Sequence, residues 1–130
     1  VKLLDASALL ALLNSEPGSE QVAEALKSGA SMSSVNQAEV AAKLDDYGMP
    51  ADEVEEVLAS LDLTIVPFTA EHARTSGSLR RTTKAAGLSL GDRACLALAH
   101  HTEWTVVTAD RHWEGLVDAK LEFIRPPKEE

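Results

Sequence analysis

Apolar positions along this 130-residue chain fall into short blocks that alternate between two spacings. Val1-Lys2-Leu3-Leu4, Ala30-Ser31-Met32, Leu63 to Phe68, Trp104 to Thr108 and Leu121 to Ile124 are brief apolar or β-branched runs, as strands buried in a sheet require. The longer blocks between them carry helical spacing. Ala6 to Leu13 is a helical run closed by Asn14-Ser15-Glu16-Pro17-Gly18, and Ser19 to Lys27 places Val22, Ala25 and Leu26 on one side before Gly29 stops it. Ser33 or Ser34 caps a helix from Val35 to Tyr47, and Gly48-Met49-Pro50 breaks the chain. A further amphipathic helix spans Asp52 to Leu61, with Val54, Val57, Leu58 and Leu61 as its apolar side. Thr69 caps a long helix from Ala70 to Lys84. Ser89-Leu90-Gly91 reads as a loop, and Asp92 stands at the N-cap of an almost wholly apolar helix from Arg93 to His101. Arg111-His112-Trp113 is a single helical turn. Strands thus alternate with helices throughout, which predicts an α/β domain with a mostly parallel sheet covered on both faces.

Composition changes this picture little. Apolar residues make up 45% and charged residues 25%, so the chain is an ordinary globular domain over residues 1–125, followed by a short tail, 126–130. No apolar run is long enough to span a membrane and no charged segment with an apolar core opens the chain, so the expectation is a cytoplasmic protein without a membrane partner. The single cysteine, Cys95, lies in the apolar helix and excludes both an internal disulfide and the usual zinc finger.

Charge adds more. The net charge of −9 argues at face value against a nucleic-acid partner, but the charges are segregated. Residues 1–73 carry 13 acids and 3 bases, whereas residues 74–111 carry 3 acids and 6 bases. Two of those three acids are Asp92 and Asp110. If they hold a cation, Arg74, Arg80, Arg81, Lys84, Arg93 and Arg111 are placed to steer a polyanion towards them. A solvated helix face is the alternative.

Four acids occupy informative positions. Asp5 follows the first strand, Glu39 lies at or near a stripe formed by Val35, Ala38, Val40 and Ala42, Asp92 begins a helix, and Asp110 follows a central strand. Three of them lie on the carboxyl edge of the sheet, where α/β folds bind ligands. Convergence costs about 4 kcal/mol per close pair at about 4 Å and an effective dielectric of about 20, so such a cluster must take up protons or a cation. Oxygen-only ligation favours Mg²⁺ or Mn²⁺ over zinc, and such ions serve phosphodiester cleavage.

LLDASALLALL at Leu3 to Leu13, SSVNQAEVA at Ser33 to Ala41, LSLGDRACLALA at Leu88 to Ala99 and VVTADRHW at Val106 to Trp113 resemble, in order and spacing, the four motif blocks of PIN-domain ribonucleases, and most closely the VapC toxins of toxin–antitoxin pairs. The resemblance implies an α/β/α sandwich with sheet order 3-2-1-4-5, in which Asp5, Glu39, Asp92 and Asp110 are both the metal ligands and the catalytic acids. It implies Ser7 and Thr108 as supporting residues beside them, and an endoribonuclease that uses metal-activated water to leave a 5′-phosphate and a 3′-hydroxyl. Arg93 and Arg111, each beside a site acid, are then candidates for phosphate contacts. The implied partners are an RNA substrate, a VapB-like antitoxin and a second copy of the chain in a homodimer.

Other readings compete. A phosphohydrolase with an aspartate nucleophile wants a second Asp two residues after Asp5, where Ser7 stands. A Mg²⁺-binding phosphoacceptor signalling domain wants an adjacent acidic pair after its first strand and a lysine after its last. A catalytically silent PIN-fold binding module is the third alternative, against which the intact quartet weighs.

Overall fold

Five strands form one sheet in which every neighbouring pair is parallel, so each connection must cross a face of the sheet. The computed structural model describes residues 1–115 and 118–126; the remainder of the expected tail, residues 127–130, lies outside them. The elements run β1 (Lys2–Leu4), α1 (Ala6–Leu13), α2 (Ser19–Lys27), β2 (Ala30–Ser33), α3 (Ser34–Asp46), α4 (Ala51–Ser60), β3 (Leu63–Val66), α5 (Ala70–Ser78), α6 (Arg80–Thr83), α7 (Leu90–Thr102), β4 (Thr105–Thr108), a 3₁₀ turn (Arg111–Trp113) and β5 (Leu121–Phe123). The strand order is β3-β2-β1-β4-β5. The first strand therefore sits between the second and the fourth, and the carboxyl ends of β1 and β4 lie side by side at the point where the order reverses.

The pleat divides the core in two. Leu4, Met32 and Val107 point to the face covered by α1, α2 and α3, where they meet Ala8, Leu9, Val22 and Val40. Leu3 and Val106 point to the other face, where Cys95, Leu98 and Ala99 of α7 pack with Leu88 and Trp113. Because α7 is covered by the sheet on one side and by α5 on another, all residues from Ala94 to Ala99 are buried, as its lack of a polar face requires.

Three local expectations are corrected. The last major helix begins at Leu90, and its N-cap is Ser89; Asp92 is the third helical residue. Ser89 Oγ accepts from Asp92 N at 3.2 Å while Asp92 Oδ2 accepts from Ser89 N at 2.9 Å, a capping box that draws Leu90 and Gly91 into the helix. The long helix from Ala70 is interrupted at Leu79, which keeps right-handed dihedrals (φ −72°, ψ −16°) but tightens the turn. Gly77 is a weak helix former there, and Ser78, Thr82 and Thr83 turn their hydroxyls back onto the carbonyls of Thr75 and Leu79. On α3 the buried stripe is Asn36, Val40 and Leu44, at spacing i, i+4, i+8, while Ala38 and Ala42 face outward.

Candidate active site

Asp5 leaves β1 directly into the first turn of α1 and caps it, with Ala8 N donating to its Oδ1 at 2.8 Å. Its backbone N–H reaches Val107 O at 3.3 Å and ties the strand end to β4. Two hydroxyls complete its surroundings: Ser7 Oγ donates to Oδ1 at 2.8 Å and Thr108 Oγ1 donates to Oδ2 at 2.5 Å. Thr108 in turn accepts from Asp110 N at 3.0 Å, and Ser7 accepts from Ala109 N at 3.0 Å. The two residues expected in supporting roles thus fasten the carboxylate of Asp5 to the backbone at the end of β4. With only 3% of its surface exposed, Asp5 pays a desolvation cost that pushes its pKa from 3.8 up to about 6, despite hydrogen bonds from Thr108, Ala8 and Ser7 that favour the charged form. The charge of Asp92 raises it further.

Glu39 reaches the same region from α3. Asn36, one helical turn earlier and 1% exposed, donates its Nδ2 to Glu39 Oε1 at 2.8 Å and to Gly91 O at 3.0 Å. A methyl group on Gly91 would collide with the Glu39 carboxylate, so the bare Cα of Gly91 is what admits that carboxylate against the first turn of α7. Partial burial and then the charge of Asp92 raise the Glu39 pKa, with Asn36 opposing. Buried Cys95, on the next turn of α7, feels Asp5, Asp92 and Glu39 in addition to its own desolvation, and its thiol is held well above the usual range.

Asp5, Glu39 and Asp92 are therefore gathered about the N-terminal turn of α7. Asp110 follows β4 and engages its own turn: Oδ1 accepts from His112 N at 2.9 Å and lies 2.8 Å from His112 Nδ1. The two arginines expected to meet phosphate have other occupations. Arg93 Nη1 donates to Ser76 O at 3.1 Å, locking α7 to α5, and Arg111 pairs with Glu114 at 2.9 Å, donates to Arg125 O and covers the Phe123 ring. Asn36 and Gly91 are the site residues that pattern reading missed. Their signals were a polar side chain on the buried stripe of α3, three residues before an acid, and a glycine between a helix cap and an acid.

Among the described residues no three Asp, Glu, His or Cys side chains stand, as placed, close enough about one point to hold a metal ion. Two of the acids are engaged by their own turns: Asp92 accepts from Ser89 N, and Asp110 from His112 N. The donor set still fits a hard divalent cation. It is all oxygen, it is acidic, and no lysine or arginine among the described residues forms an ion pair with any of the four.

Comparison with protein families matches residues 2–117 to the PIN domain. The chain belongs to the PIN domain family. Solved PIN-like structures agree in fold: the chain is similar to a toxin–antitoxin complex from Klebsiella pneumoniae, with a TM-score of 0.77 and 21% identity over 96% of this chain and 98% of that one. It is also similar to a VapBC toxin–antitoxin family member from Mycobacterium tuberculosis, at TM-score 0.60 and 25% identity over 96% and 98% of the two chains. A third similar structure, a Mycobacterium tuberculosis VapC described as a toxin that cleaves the sarcin-ricin loop, aligns at TM-score 0.70 and 15% identity over 92% of this chain and 99% of that one. Curated protein sequences gave no match. The VapC-like resemblance of the four motif blocks and the 3-2-1-4-5 sheet of a PIN domain are thus both met. No helix among the described residues is long and apolar enough to cross a membrane.

Proposed function

We propose that this PIN domain is a cytoplasmic, divalent-metal-dependent endoribonuclease, the toxin half of a toxin–antitoxin pair. The observation that carries the reading is a group of acids about the switch point of a parallel sheet with no lysine or arginine paired to any of them among the described residues; Asp110 alone meets a histidine, His112. Asp5 and Glu39 both have raised pKa values, both are affected by Asp92, and neither is neutralised by a lysine or arginine among the described residues. A fold retains such repulsion where a ligand repays it. Asp5, Glu39, Asp92 and Asp110 are the residues to hold Mg²⁺ or Mn²⁺. Bound there, the ion supplies positive charge for the phosphodiester and lowers the pKa of the attacking water.

The chain's own residues set the geometry. Ser7, Thr108 and the Ala8 amide orient Asp5, and Asn36 orients Glu39 against Gly91. Asp92 becomes available by exchanging its bond to Ser89 N, and Asp110 by exchanging its contacts to His112. The same acids are the natural target for the basic side chain of a VapB-like antitoxin, in keeping with neighbours described as toxin–antitoxin complexes. A homodimer completes the proposed assembly.

The test is incubation of total cellular RNA with purified protein, freed of partners, in Mg²⁺ or Mn²⁺, beside EDTA and beside Asp5→Asn. Discrete metal-dependent fragments ending in 5′-phosphate and missing with Asp5→Asn are expected. RNA left intact in every metal would overturn the nuclease reading in favour of a silent binding module.

A further inference from the structure

The stretch from His72 to Gly91 contains four cations and no acid in a chain whose net charge is −9. Those cations, Arg74, Arg80, Arg81 and Lys84, are all exposed, and none has an ion-pair partner among the described residues. Elsewhere Lys2, Lys27, Arg111 and Arg125 are each within reach of a glutamate, whereas Lys43, Arg93 and Lys120, scattered over the fold, have no ion pair among the described residues. An excess of acids over bases makes four unpaired cations in one segment hard to explain by solubility alone.

Their placement is one-sided. Leu79 keeps right-handed dihedrals, so α5 and α6 continue in nearly one direction. At about 100° per residue, Arg74, Arg80, Arg81 and Lys84 fall within one arc of about 120°. The other residues on that arc are Ala70, Ala73 and Gly77, all exposed, and nothing lies within 4 Å of where a Cβ on Gly77 would stand. Ser76 and Thr83, which are buried, and Leu79, which packs on the α7 side of the core, lie outside the arc. The result is a smooth cationic strip about 15 Å long, fixed to the protein by its other side. It leads towards the acids: Lys84 is five residues before Ser89, at most about 18 Å of chain, and Ser89 caps the helix turn that carries Gly91 and Asp92.

We propose that this α5–α6 face is a docking rail for the phosphodiester backbone of an RNA strand, delivering it to the acidic cluster. The proposal rests on the nuclease reading for its substrate and assigns binding to residues outside the metal cluster. Small side chains between the cations let the backbone approach, and the cations offset the repulsion between a polyanion and a chain of net negative charge. Without base-reading groups on the arc, the rail contributes affinity and direction rather than sequence preference.

Binding of a fluorescein-labelled single-stranded RNA is measured by anisotropy in EDTA across a salt series. The proteins compared are wild type, Arg80→Ala/Arg81→Ala, and a control that loses two cations elsewhere, Lys27→Ala/Lys43→Ala. Alanine is a better helix former than arginine, so the rail variant keeps its fold, which circular dichroism checks. Two lost phosphate contacts predict a salt slope shallower by about 1.4 and affinity down about 20-fold near 0.1 M salt, with the control little changed. In Mn²⁺ the same variant is expected to raise KM and leave kcat nearly intact. Slope and affinity equal to the control, with cleavage retained, would overturn the rail and leave the nuclease standing. A rail variant that keeps RNA affinity but no longer captures an acidic protein would overturn it in favour of a protein surface. RNA binding that depends on the rail in a protein that cuts nothing would support the rail and overturn the nuclease reading instead.

Discussion

A single hydrogen atom decides where Glu39 stands. The Cα of Gly91 faces the Glu39 carboxylate so closely that a methyl group has no room, and Asn36 holds both from the side. Gly91→Ala is therefore expected to displace Glu39 and weaken Mn²⁺ binding at least about tenfold, about 1.4 kcal/mol. Helix content should not fall, because alanine favours the helix. Calorimetric titration of Mn²⁺ against circular dichroism separates the two effects. Asp5 supplies a second expectation, in pH. The folded protein holds the Asp5 proton up to about pH 6, while the unfolded chain releases it near 3.8, so between these values the native state binds more protons and stability falls as pH rises. The loss attributable to Asp5 is about 3 kcal/mol by pH 7. Thermal melts in EDTA between pH 4 and pH 7 should show wild type losing stability across that window, and Asp5→Asn losing much less. A flat profile for wild type would contradict the desolvated carboxylate.

Between residues and the molecule stand the helix starts, which present the acids. The capping box of α7 both begins the helix and sets the rotamer of Asp92. Ser89→Ala removes one side of it and is expected to cost about 1 kcal/mol in urea denaturation, as N-cap losses do. In α1 the cap is Asp5 itself, so the acid most buried in the site also begins a helix. The pattern of apolar residues found these elements but misplaced the start of α7. A serine, a leucine and a glycine before an acid read equally well as a loop, and only the closed pair of hydrogen bonds makes them a first turn. The break at Leu79 was hidden for a similar reason. Hydroxyls that bond back to the helix leave no mark on its apolar spacing.

At the scale of the whole molecule, the sheet order places β1 beside β4, and with it Asp5 beside the strand that carries Thr108. A cation that neutralises this cluster binds the folded state alone, so it should raise stability by about 3 kcal/mol at one hundred times its dissociation constant. That corresponds to a melting temperature on the order of 10 °C higher in Mn²⁺ than in EDTA. Asp5→Asn should abolish most of the increase. An equal increase in both proteins would place the ion elsewhere.

From the sequence alone came the alternation of strands and helices, the four acids, three of them near element ends and Glu39 within a helix, the segregated charge, and the single core cysteine. These follow from spacing, capping chemistry and composition, which are local. The resemblance of four motif blocks added the strand order, and the structure bears it out. Only the tertiary structure decided that Ser7 and Thr108 grip opposite oxygens of Asp5, because residues 101 apart meet there through strand pairing. It also decided that Asn36 and Gly91 seat Glu39, and that Arg93 and Arg111 are spent on Ser76 and Glu114. Adjacency in sequence places a side chain on an element. Which partner it meets depends on the face that element buries and on the neighbour that covers it.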